Sequence, residues 1–453
     1  MSRIAKPLAV LVAACLLPLH ALPADAPVDE RTAAYERYRT AFDARNYQQA
    51  LPLAVRVVEL TAAQFDEEAP ELAIPLTNLA TTLYRLGQHG EALDTYRRAL
   101  TVLELTGNAT DPRLVPPLHG MGVTLRAMDR HEEAIVPLKR AVDILRNREG
   151  LHSPGQLPVL RALIESYEKS WRRDDAAREH QYAFNVAEQA FGSDDPRMIE
   201  PLGVLAGWHE KTGRYSVARV LHMRAVQIAD RAEPNSTRAV DALRGVARTY
   251  RLAYVNGESQ DALTTAMNDL PPSLMSSAAA MNMPSGEGER ALRNALQRLE
   301  PAGASKAAQR GEVLIDLGDW YRVAGAGSRA MTSWMQAWAE LSAAGDTTLL
   351  EKPAPIVYRP PSVAVSQRPQ DPQQYVVQEV QLHLSIAADG NVRDATVANP
   401  APARESAERA VSAAVRRGVW RPAFAGGMPV PAPDFLFTEP VYVRISEEAP
   451  PAG

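Results

Sequence analysis

Cysteine is almost absent from this sequence of 453 residues, in which Cys15 stands alone. It lies in an apolar N-terminal stretch that has the features of an export signal. Once that stretch is removed, neither a disulfide framework nor a thiolate metal site is possible. Packing of apolar side chains must therefore stabilise the mature chain.

Aromatic residues and positive charge are also in short supply. Phe, Trp and Tyr make up 6% of the chain, and 49 Lys and Arg face 54 Asp and Glu, for a net charge of -5. The low aromatic content favours a helical protein, and the charge leaves no basic excess for nucleic-acid binding. The length predicts about three domains, at roughly 150 residues each.

Motifs of catalysis and cofactor binding are missing too. The sequence has no P-loop, no Gly-x-Ser-x-Gly elbow and no dinucleotide glycine fingerprint, so no catalytic residue and no cofactor are predicted. Asp389, Asn391 and Asp394 lack the spacing and the closing Glu of a calcium loop. Asp389 and Gly390 between two alternating runs instead predict a hairpin turn.

Residues 1–24 have the order of a secretory signal peptide. A pair of basic residues precedes an apolar run from Pro7 to Leu22, and small residues follow it. Cleavage after Ala21 or Ala24 is predicted, which would export the mature chain.

Two other fates of the N-terminus stay open. The run could persist as a membrane anchor, although Pro7, Pro18 and His20 interrupt a stretch shorter than the ~20 residues that a span needs. Cys15 follows Val-Ala-Ala and could be lipidated, although leucines continue the apolar run beyond it. Membrane contact is thus predicted only through a partner, a lipidated Cys15 or an uncleaved N-terminus.

An internal repeat of 42 residues runs through the centre of the chain. Small or apolar residues recur at this spacing, and glycines such as Gly87 and Gly213 fall between the helices that the pattern predicts. The three series are Ala80, Gly122, Ile164 and Ala206; Ala92, Ala134, Ala176 and Ala218; and Ala99, Ala141, Ala183 and Ala225. Small residues at such intervals predict antiparallel helix pairs in close contact.

This pattern resembles the tetratricopeptide repeat, in the 42-residue form of kinesin light chains. The clearest copy is 79–99, LATTLYRLGQHGEALDTYRRA, and a second lies downstream in 317–337. The resemblance implies a mostly α fold, an α-solenoid of stacked helix pairs over 32–269, with a further helical repeat over 289–345. Residues 270–288 have no periodicity and are predicted to be a loop or an insertion.

The resemblance also implies a peptide-binding face on the first helix of each pair. In kinesin light chains an asparagine of this face grips the ligand backbone, and Asn78 takes that position here. The equivalent positions in the next three repeats are Gly120, Ala162 and Val204. The other groove candidates on the same face are Tyr84, Arg85, Arg126, Glu168 and Lys169. Proteins or peptides are the partners that such a surface predicts.

Three histidines fall at predicted core positions. His180 and His222 replace the Tyr96 of the clearest copy, and His209 is expected against His222. Facing histidines could hold a metal or titrate near their ordinary pKa of about 6.5, but a zinc site needs three or four ligands. Hydrogen-bonded core histidines are therefore the favoured interpretation, and no metal is predicted.

The C-terminal part of the chain changes composition twice. Six prolines between 353 and 372 predict an extended linker over 350–373. Alternating apolar residues then predict strands, with one helical stretch among them. The strands are expected near 376–386, 392–398 and 437–445, and the helix over 404–418. Together they predict a small α+β module over 374–446.

The β-β-α-β order, with VQLHLSIAADGNVRDATV and VWRPAF, resembles the C-terminal domain of the TonB family of energy transducers. In that family the domain stands in the periplasm and pairs an exposed strand with a segment of an outer-membrane receptor. The residues that carry the resemblance, expected mainly to set the fold, are Asp389, Gly390, Trp420, Arg421, Pro422, Ala423, Gly427, Pro429 and Val430.

These features together predict a periplasmic, non-enzymatic adaptor of a Gram-negative envelope. Its repeats would bind one protein and its TonB-like domain would dock on another, such as an outer-membrane receptor. The alternative is an energy transducer with an uncleaved anchor, although Leu16 stands where that family has a serine, and its Pro-Lys spacer is missing. An envelope enzyme would need a site that no motif reveals.

Overall fold

The computed structural model describes residues 29–256, 286–367 and 374–444. The chain divides into two compact units, one ending at Met128 and one beginning at Asp129. The predicted signal peptide with Cys15, most of the predicted loop 270–288 and part of the proline-rich segment lie outside the described residues. Within the described ranges, no helix is both long and apolar enough to cross a bilayer.

The described part of the first unit is built from helices, between residues 30 and 127. Its helices are α1 (Glu30–Asp43), α2 (Tyr47–Phe65), α3 (Ala73–Arg85), α4 (His89–Glu104) and α5 (Val115–Ala127). Ala80, Ala92 and Ala99 of the repeat pattern are fully buried. A Cβ on Gly120 would lie 2.3 Å from the Tyr96 ring. The small residues of the pattern therefore stand where one helix closely approaches the next.

The second unit begins with further helices of the same repeat. They are α6 (His131–Glu149), α7 (Leu157–Lys169), α8 (Arg173–Phe191), α9 (Ile199–Lys211), α10 (Tyr215–Ala232), α11 (Thr237–Asn256), α12 (Glu287–Leu299), α13 (Ala307–Val323) and α14 (Gly327–Ala344). In the downstream copy, a Cβ on Gly318 would lie 2.3 Å from Nε1 of Trp334. The predicted helical repeats are present, and α12 starts inside the segment predicted as a loop.

The turn inside successive helix pairs uses a residue in the left-handed region. Positions 45, 87, 129, 171 and 213, one repeat apart, have φ angles of 58°, 78°, 59°, 58° and 79°. Gly87 and Gly213 adopt this conformation without steric cost, whereas Arg45, Asp129 and Trp171 carry the strain that a side chain adds there. The 42-residue period therefore holds for the backbone as well as for the core.

A small module of strands and helices follows the repeats. Its elements are α15 (Thr348–Glu351), β1 (Ala354–Val357), β2 (Tyr375–Ile386), β3 (Val392–Val397), α16 (Glu405–Arg417), β4 (Val419–Arg421), β5 (Ala423–Ala425), β6 (Met428–Val430) and β7 (Ala432–Arg444). Three of the strands form an antiparallel sheet in the order β3-β2-β7. One sheet face and α16 share a core around the fully buried Trp420. A small strand-containing region is thus confirmed.

Part of the segment predicted as a free linker is folded instead. Ala354–Val357 forms β1 and pairs antiparallel with β4. Ala364 is fully buried and bridges to Val441 of β7. Prolines are compatible with these positions because an edge strand needs only some of its N–H groups for pairing. The chain between the last helix pair and the sheet is therefore packed against the module over residues 353–367.

Candidate peptide-binding groove

A groove of about 670 Å³ opens between α7 and α9, which are the first helices of two successive repeats. Residues of α8, together with Arg197 and with Arg238 of α11, complete its lining, and most of the lining surface is apolar. Pockets of this size and composition commonly bind a large apolar group together with its polar flanks. The groove lies on the helices to which the repeat register assigns the peptide-binding face.

The α9 side of the groove is open because it carries little side-chain bulk. Gly203 and Gly207, one helical turn apart, have no atom within 4 Å of where a Cβ would lie. Val204 beside them is 48% exposed. Glycine inside a helix costs about 1 kcal/mol relative to alanine, so this opening is made at the expense of helix stability. A ligand can contact the backbone of α9 here.

Aromatic rings supply the apolar surface. Phe184 is 2% exposed and Trp208 is 6% exposed, and both line the groove together with Phe191. The His180 ring stacks on Trp208 with the ring centroids 4.9 Å apart. Rings that are already held in place offer a rigid surface, so a ligand side chain can pack on them at a small entropic cost.

Glu168 is held at the groove by two partners. Its Oε1 lies 2.8 Å from Nε2 of His180, and Nζ of Lys211 donates to its Oε2 at 2.6 Å. Burial raises the pKa of Glu168, but the hydrogen bonds from His180 and Lys211 outweigh burial and lower this pKa below its ordinary value of 4.5. The carboxylate is therefore charged near pH 7 and is balanced by its own neighbours.

The same arrangement recurs one repeat later, outside the groove. Nε2 of His222 lies 2.8 Å from Oε1 of Glu210, and Nε of Arg248 donates to Oε2 at 2.7 Å. Burial raises the pKa of Glu210, but the bonds from His222 and Arg248 bring it below 4.5. Because the second copy does not line the groove, we interpret the motif as a link between helices of successive repeats.

These two carboxylates predict a loss of stability in acid. A carboxyl group whose pKa is lower in the folded state stabilises the fold above its unfolded pKa, and this stabilisation disappears as the pH falls through the folded pKa. The free energy of unfolding should therefore decrease as the pH falls below 4.5. The change Glu210→Gln should lower it by about 1–2 kcal/mol at pH 7 and weaken its dependence on pH. Urea titrations at several pH values measure both effects.

A matched control is available at an exposed carboxyl group. Glu132 is 64% exposed and faces Arg172 at 3.8 Å, so Glu132→Gln should change the unfolding free energy by less than about 0.5 kcal/mol. If the unfolding free energy of Glu210→Gln depended on pH in the same way as that of Glu132→Gln and of the unchanged protein, the hydrogen-bonded carboxylates Glu168 and Glu210 would not explain the acid sensitivity.

Arginines line the end of the groove at the N-termini of α7 and α9. Arg161, Arg197 and Arg238 are found there with Glu200, and Arg161 approaches Glu200 at 3.8 Å. The carboxylates paired with the other two arginines, Asp195 and Glu233, do not line the groove. An acidic group of a ligand therefore fits this end by charge.

The structure separates the groove residues predicted in the second unit. Glu168 lines the groove, whereas Lys169 is exposed and lies outside the lining. At the position equivalent to Asn78, Ala162 is buried and Val204 faces the groove. Of these two positions equivalent to Asn78, only the one on α9 therefore lines the groove.

The predicted residues of the first unit have local partners. The backbone carbonyl of Asn78 accepts a hydrogen bond from Thr82 Oγ1 at 2.9 Å. Tyr84 packs on His89 with centroids 5.4 Å apart, and the Arg85 guanidinium lies 5.9 Å from the Tyr84 ring centroid. The partly buried Arg126 lies on α5. These four residues stay groove candidates by their register alone.

Sequence reasoning missed the groove's aromatic and glycine residues. Phe184, Phe191 and Trp208 look like ordinary core residues of an amphipathic helix, and only the packing of α7, α8 and α9 leaves them beside a cavity. A signal was present in Gly203 and Gly207. Two glycines one turn apart in a helix that needs neither a kink nor a cap mark an open helix face.

The predicted turn residues of the C-terminal module have structural roles. Gly390 has a φ of 80°, and a Cβ there would lie 2.3 Å from the Trp420 carbonyl oxygen, so only glycine fits. Asp389 accepts a hydrogen bond from the Asn391 N–H at 2.9 Å, and this bond is the main cause that lowers the pKa of Asp389. Nε1 of Trp420 donates to the Val415 carbonyl at 3.2 Å.

The C-terminal module packs on α13 and α14 through the other residues of the predicted TonB-like motif and through the neighbouring Phe424. Nη1 of Arg421 donates to Oδ1 of Asp319 on α13 at 3.2 Å. Phe424 lies between Trp334 and Trp338 of α14, with centroid distances of 6.4 and 6.5 Å. Pro422 and Ala423 are buried beside these anchors, and Gly427, Pro429 and Val430 belong to the β5-β6 hairpin.

Two histidines of the core, His180 and His222, bond to carboxylates. His180 and His222 contact Glu168 and Glu210 as described, and His209 is 4% exposed. Nowhere in residues 29–256, 286–367 and 374–444 do three His, Cys, Asp or Glu side chains gather as a metal-binding group. The expected contact between His209 and His222 stays a prediction.

Comparisons with known proteins find similar helical repeats. A kinesin light chain of Podosopora anserina with TPR-like repeats is 19% identical, with a TM-score of 0.38 over 47% of this chain and 96% of that chain. BtubC from P. vanneervenii is 15% identical, with a TM-score of 0.39 over 57% and 90%. The C-terminal part of a TPR repeat-containing protein from Cytophaga hutchinsonii is 14% identical, with a TM-score of 0.42 over 67% and 94%.

A search of the curated proteins finds no match. Residues 33–105 match the tetratricopeptide repeat family model. This part of the chain therefore has tetratricopeptide repeats, a fold that typically serves as a non-enzymatic scaffold for protein–protein interaction.

Proposed function

We propose that this protein is a non-enzymatic adaptor whose groove between α7 and α9 binds an extended segment of a partner protein. The observation that carries the proposal is the groove itself, an apolar cavity of about 670 Å³ on the first helices of two successive repeats. Repeat proteins of this kind use such surfaces for extended peptides.

The lining of the groove describes its ligand. The rings of Phe184 and Trp208 offer a surface for one large apolar side chain of the ligand. The exposed backbone of α9 at Gly203 and Gly207 leaves room for the main chain of the ligand on either side of that residue. Arginines at the N-terminal end of the helices favour an acidic residue there. A partner segment with one bulky apolar residue and a nearby carboxylate therefore fits best.

Peptides selected from a random display library on the full-length protein test this proposal. We expect the change Val204→Glu, which places a carboxylate inside the apolar groove, to weaken their binding by about 100-fold, since a buried unpaired charge costs several kcal/mol. Lys169 lies on α7 but outside the lining, so the matched control Lys169→Glu should leave the affinity for these peptides unchanged. Peptides that bind both variants equally would exclude the groove as their site.

The proposed location is the periplasm. The support is the sequence of residues 1–24, which lie outside the described residues. Intact mass and N-terminal sequencing of the native protein from fractionated cells decide the matter. A soluble chain that begins near Leu22 or Asp25 supports export, a chain that retains Met1 in a membrane supports the anchored energy transducer, and a diacylated Cys15 indicates a lipoprotein.

A second binding function is proposed for the C-terminal module, which resembles the TonB domain in its order of elements. One edge of its sheet, the outer side of β7, is free over Leu436 and Thr438 among the described residues. A strand of an outer-membrane receptor could add there. A photo-crosslinker at Leu436, but not at Met428, should then capture the receptor in intact cells; both side chains are more than half exposed.

A further inference from the structure

The outer edge of β7 already carries a short segment of the same chain. The Val365 N–H donates to the Pro440 carbonyl at 2.9 Å, and the Tyr442 N–H donates to the Val363 carbonyl at 2.8 Å. Ala364 lies between these bonds, fully buried and antiparallel to Val441. Residues 363–365, which we call the strap, thus form a single antiparallel bridge to the edge of the β3-β2-β7 sheet.

The strap covers only one end of this edge. The chain turns away at Gln367, whose N–H donates to the Ala364 carbonyl at 3.0 Å. Since Pro440 and Tyr442 face the strap, strand alternation directs the backbone N–H and C=O groups of Leu436 and Thr438 to the same outer side. In the described part of the chain no strand pairs with this outer side of the two residues.

The strap is also weakly held for a strand. The strap makes two backbone hydrogen bonds with β7. Pro440 accepts one of them but has no N–H with which to donate a further bond back to the strap. A longer segment that ran antiparallel to β7 from Tyr442 to Leu436 would make those two bonds and add others at Thr438 and Leu436. Such a segment has more backbone groups to pair than the strap has.

We propose that the strap is the internal occupant of a strand-binding edge that runs from Leu436 to Tyr442, and that a partner segment fills this edge by displacing it. The proposal deepens the strand addition proposed for the module and rests on it. The strap then acts as a tethered competitor, so that only a segment able to replace its contacts gains access to the whole edge.

The strap shows which partner segment fits. The residue that faces Val441 must be small, because the side chain of Ala364 is completely enclosed. The residue at the place of Val363 packs on the sheet core, which favours a β-branched apolar side chain. The residue at the place of Val365 must supply an N–H, which excludes proline. The expected partner is an extended segment of the type β-branched, small, non-proline.

A fluorescent peptide with the sequence of residues 359–367 serves as the probe for the full-length protein. The tethered strap competes at an effective concentration on the order of mM, so the unchanged protein should bind the peptide weakly. The variant Val365→Pro, which cannot donate to Pro440, should bind it at least about tenfold more tightly. A peptide with Glu in place of Ala364 is the matched control and should not bind. Equal binding by both proteins, or none by either, would overturn the proposal.

A second measurement needs no substitution and guards against a misfolded variant. The Tyr442 amide bonds to the strap, whereas the Val441 amide faces β2 by alternation. Hydrogen exchange in the unchanged protein should be at least about tenfold faster at Tyr442 than at Val441, because the strap opens locally. Equal protection would make the strap a fixed part of the fold. Crosslinks at Leu436 that persist in that case would leave strand addition itself intact.

Discussion

Replacing Asp319 by alanine is expected to lower the free energy of unfolding of the second unit by about 3–5 kcal/mol. Asp319 is 8% exposed on α13 and accepts hydrogen bonds from Arg421 and Arg251, each at 3.2 Å, and from Nε1 of Trp334 at 3.1 Å. Burial raises the pKa of Asp319, and the two guanidinium groups oppose that rise. The substitution leaves three donors, two of them charged, without their shared acceptor.

Urea denaturation followed by tryptophan fluorescence measures this loss. The control is Asp143→Ala on α6, where the carboxylate is 51% exposed and faces Arg146 at 3.7 Å; it should cost less than about 0.5 kcal/mol. The combined change of Asp319→Leu and Arg421→Met should recover part of the loss, because it removes a buried charge together with its partner. Equal losses for Asp319→Ala and Asp143→Ala would show that the module is not coupled to α13 through this contact.

Replacing Phe424 by alanine is expected to cost about 3–4 kcal/mol in the same assay. The ring is 2% exposed and packs between Trp334 and Trp338 of α14. Its removal leaves a cavity between the β5-β6 hairpin and the last helix pair, which rigid indole rings cannot close. The emission of the two tryptophans should shift as water enters.

The control for this loss is Leu436→Ala, a large apolar side chain on β7 that is 51% exposed. It should change the free energy of unfolding by no more than about 0.5 kcal/mol. If Phe424→Ala lowered the free energy of unfolding no more than Leu436→Ala does, the contact of Phe424 with α14 would not stabilise the fold.

Both predictions bear on the proposed adaptor. The groove between α7 and α9 and the outer edge of β7 belong to the same compact unit, and Asp319 and Phe424 connect the repeats of that unit to its strand module. Two partners bound at these sites would therefore be held by one folded body rather than by domains on a flexible tether. Weakening the Asp319 contact should therefore free the strand module from the repeats while the groove and the outer edge of β7 each stay folded.

The 42-residue spacing of the helix pairs follows from the amino-acid sequence alone. Alanines 42 residues apart predict where helices meet, because only a small side chain permits that approach. Gly390 in an Asp-Gly turn likewise predicts the β2-β3 hairpin from local conformation. The strands β4, β5 and β6 escape such reasoning, since three residues are too few to show an alternating pattern.

Tertiary structure alone decides which of these residues form a binding site. Phe184 and Trp208 have the pattern of core residues, and they border a cavity only because Gly203 and Gly207 keep α9 bare opposite them. The prolines between 353 and 372 predict an extended chain, and β1 is indeed extended, whereas turns flank Ala364 of the strap. The pairing of β1 with β4 and of Ala364 with β7 depends on residues more than 60 positions away. Local sequence determines conformation through sterics and hydrogen bonding, whereas a groove or an open edge depends on what distant segments leave uncovered.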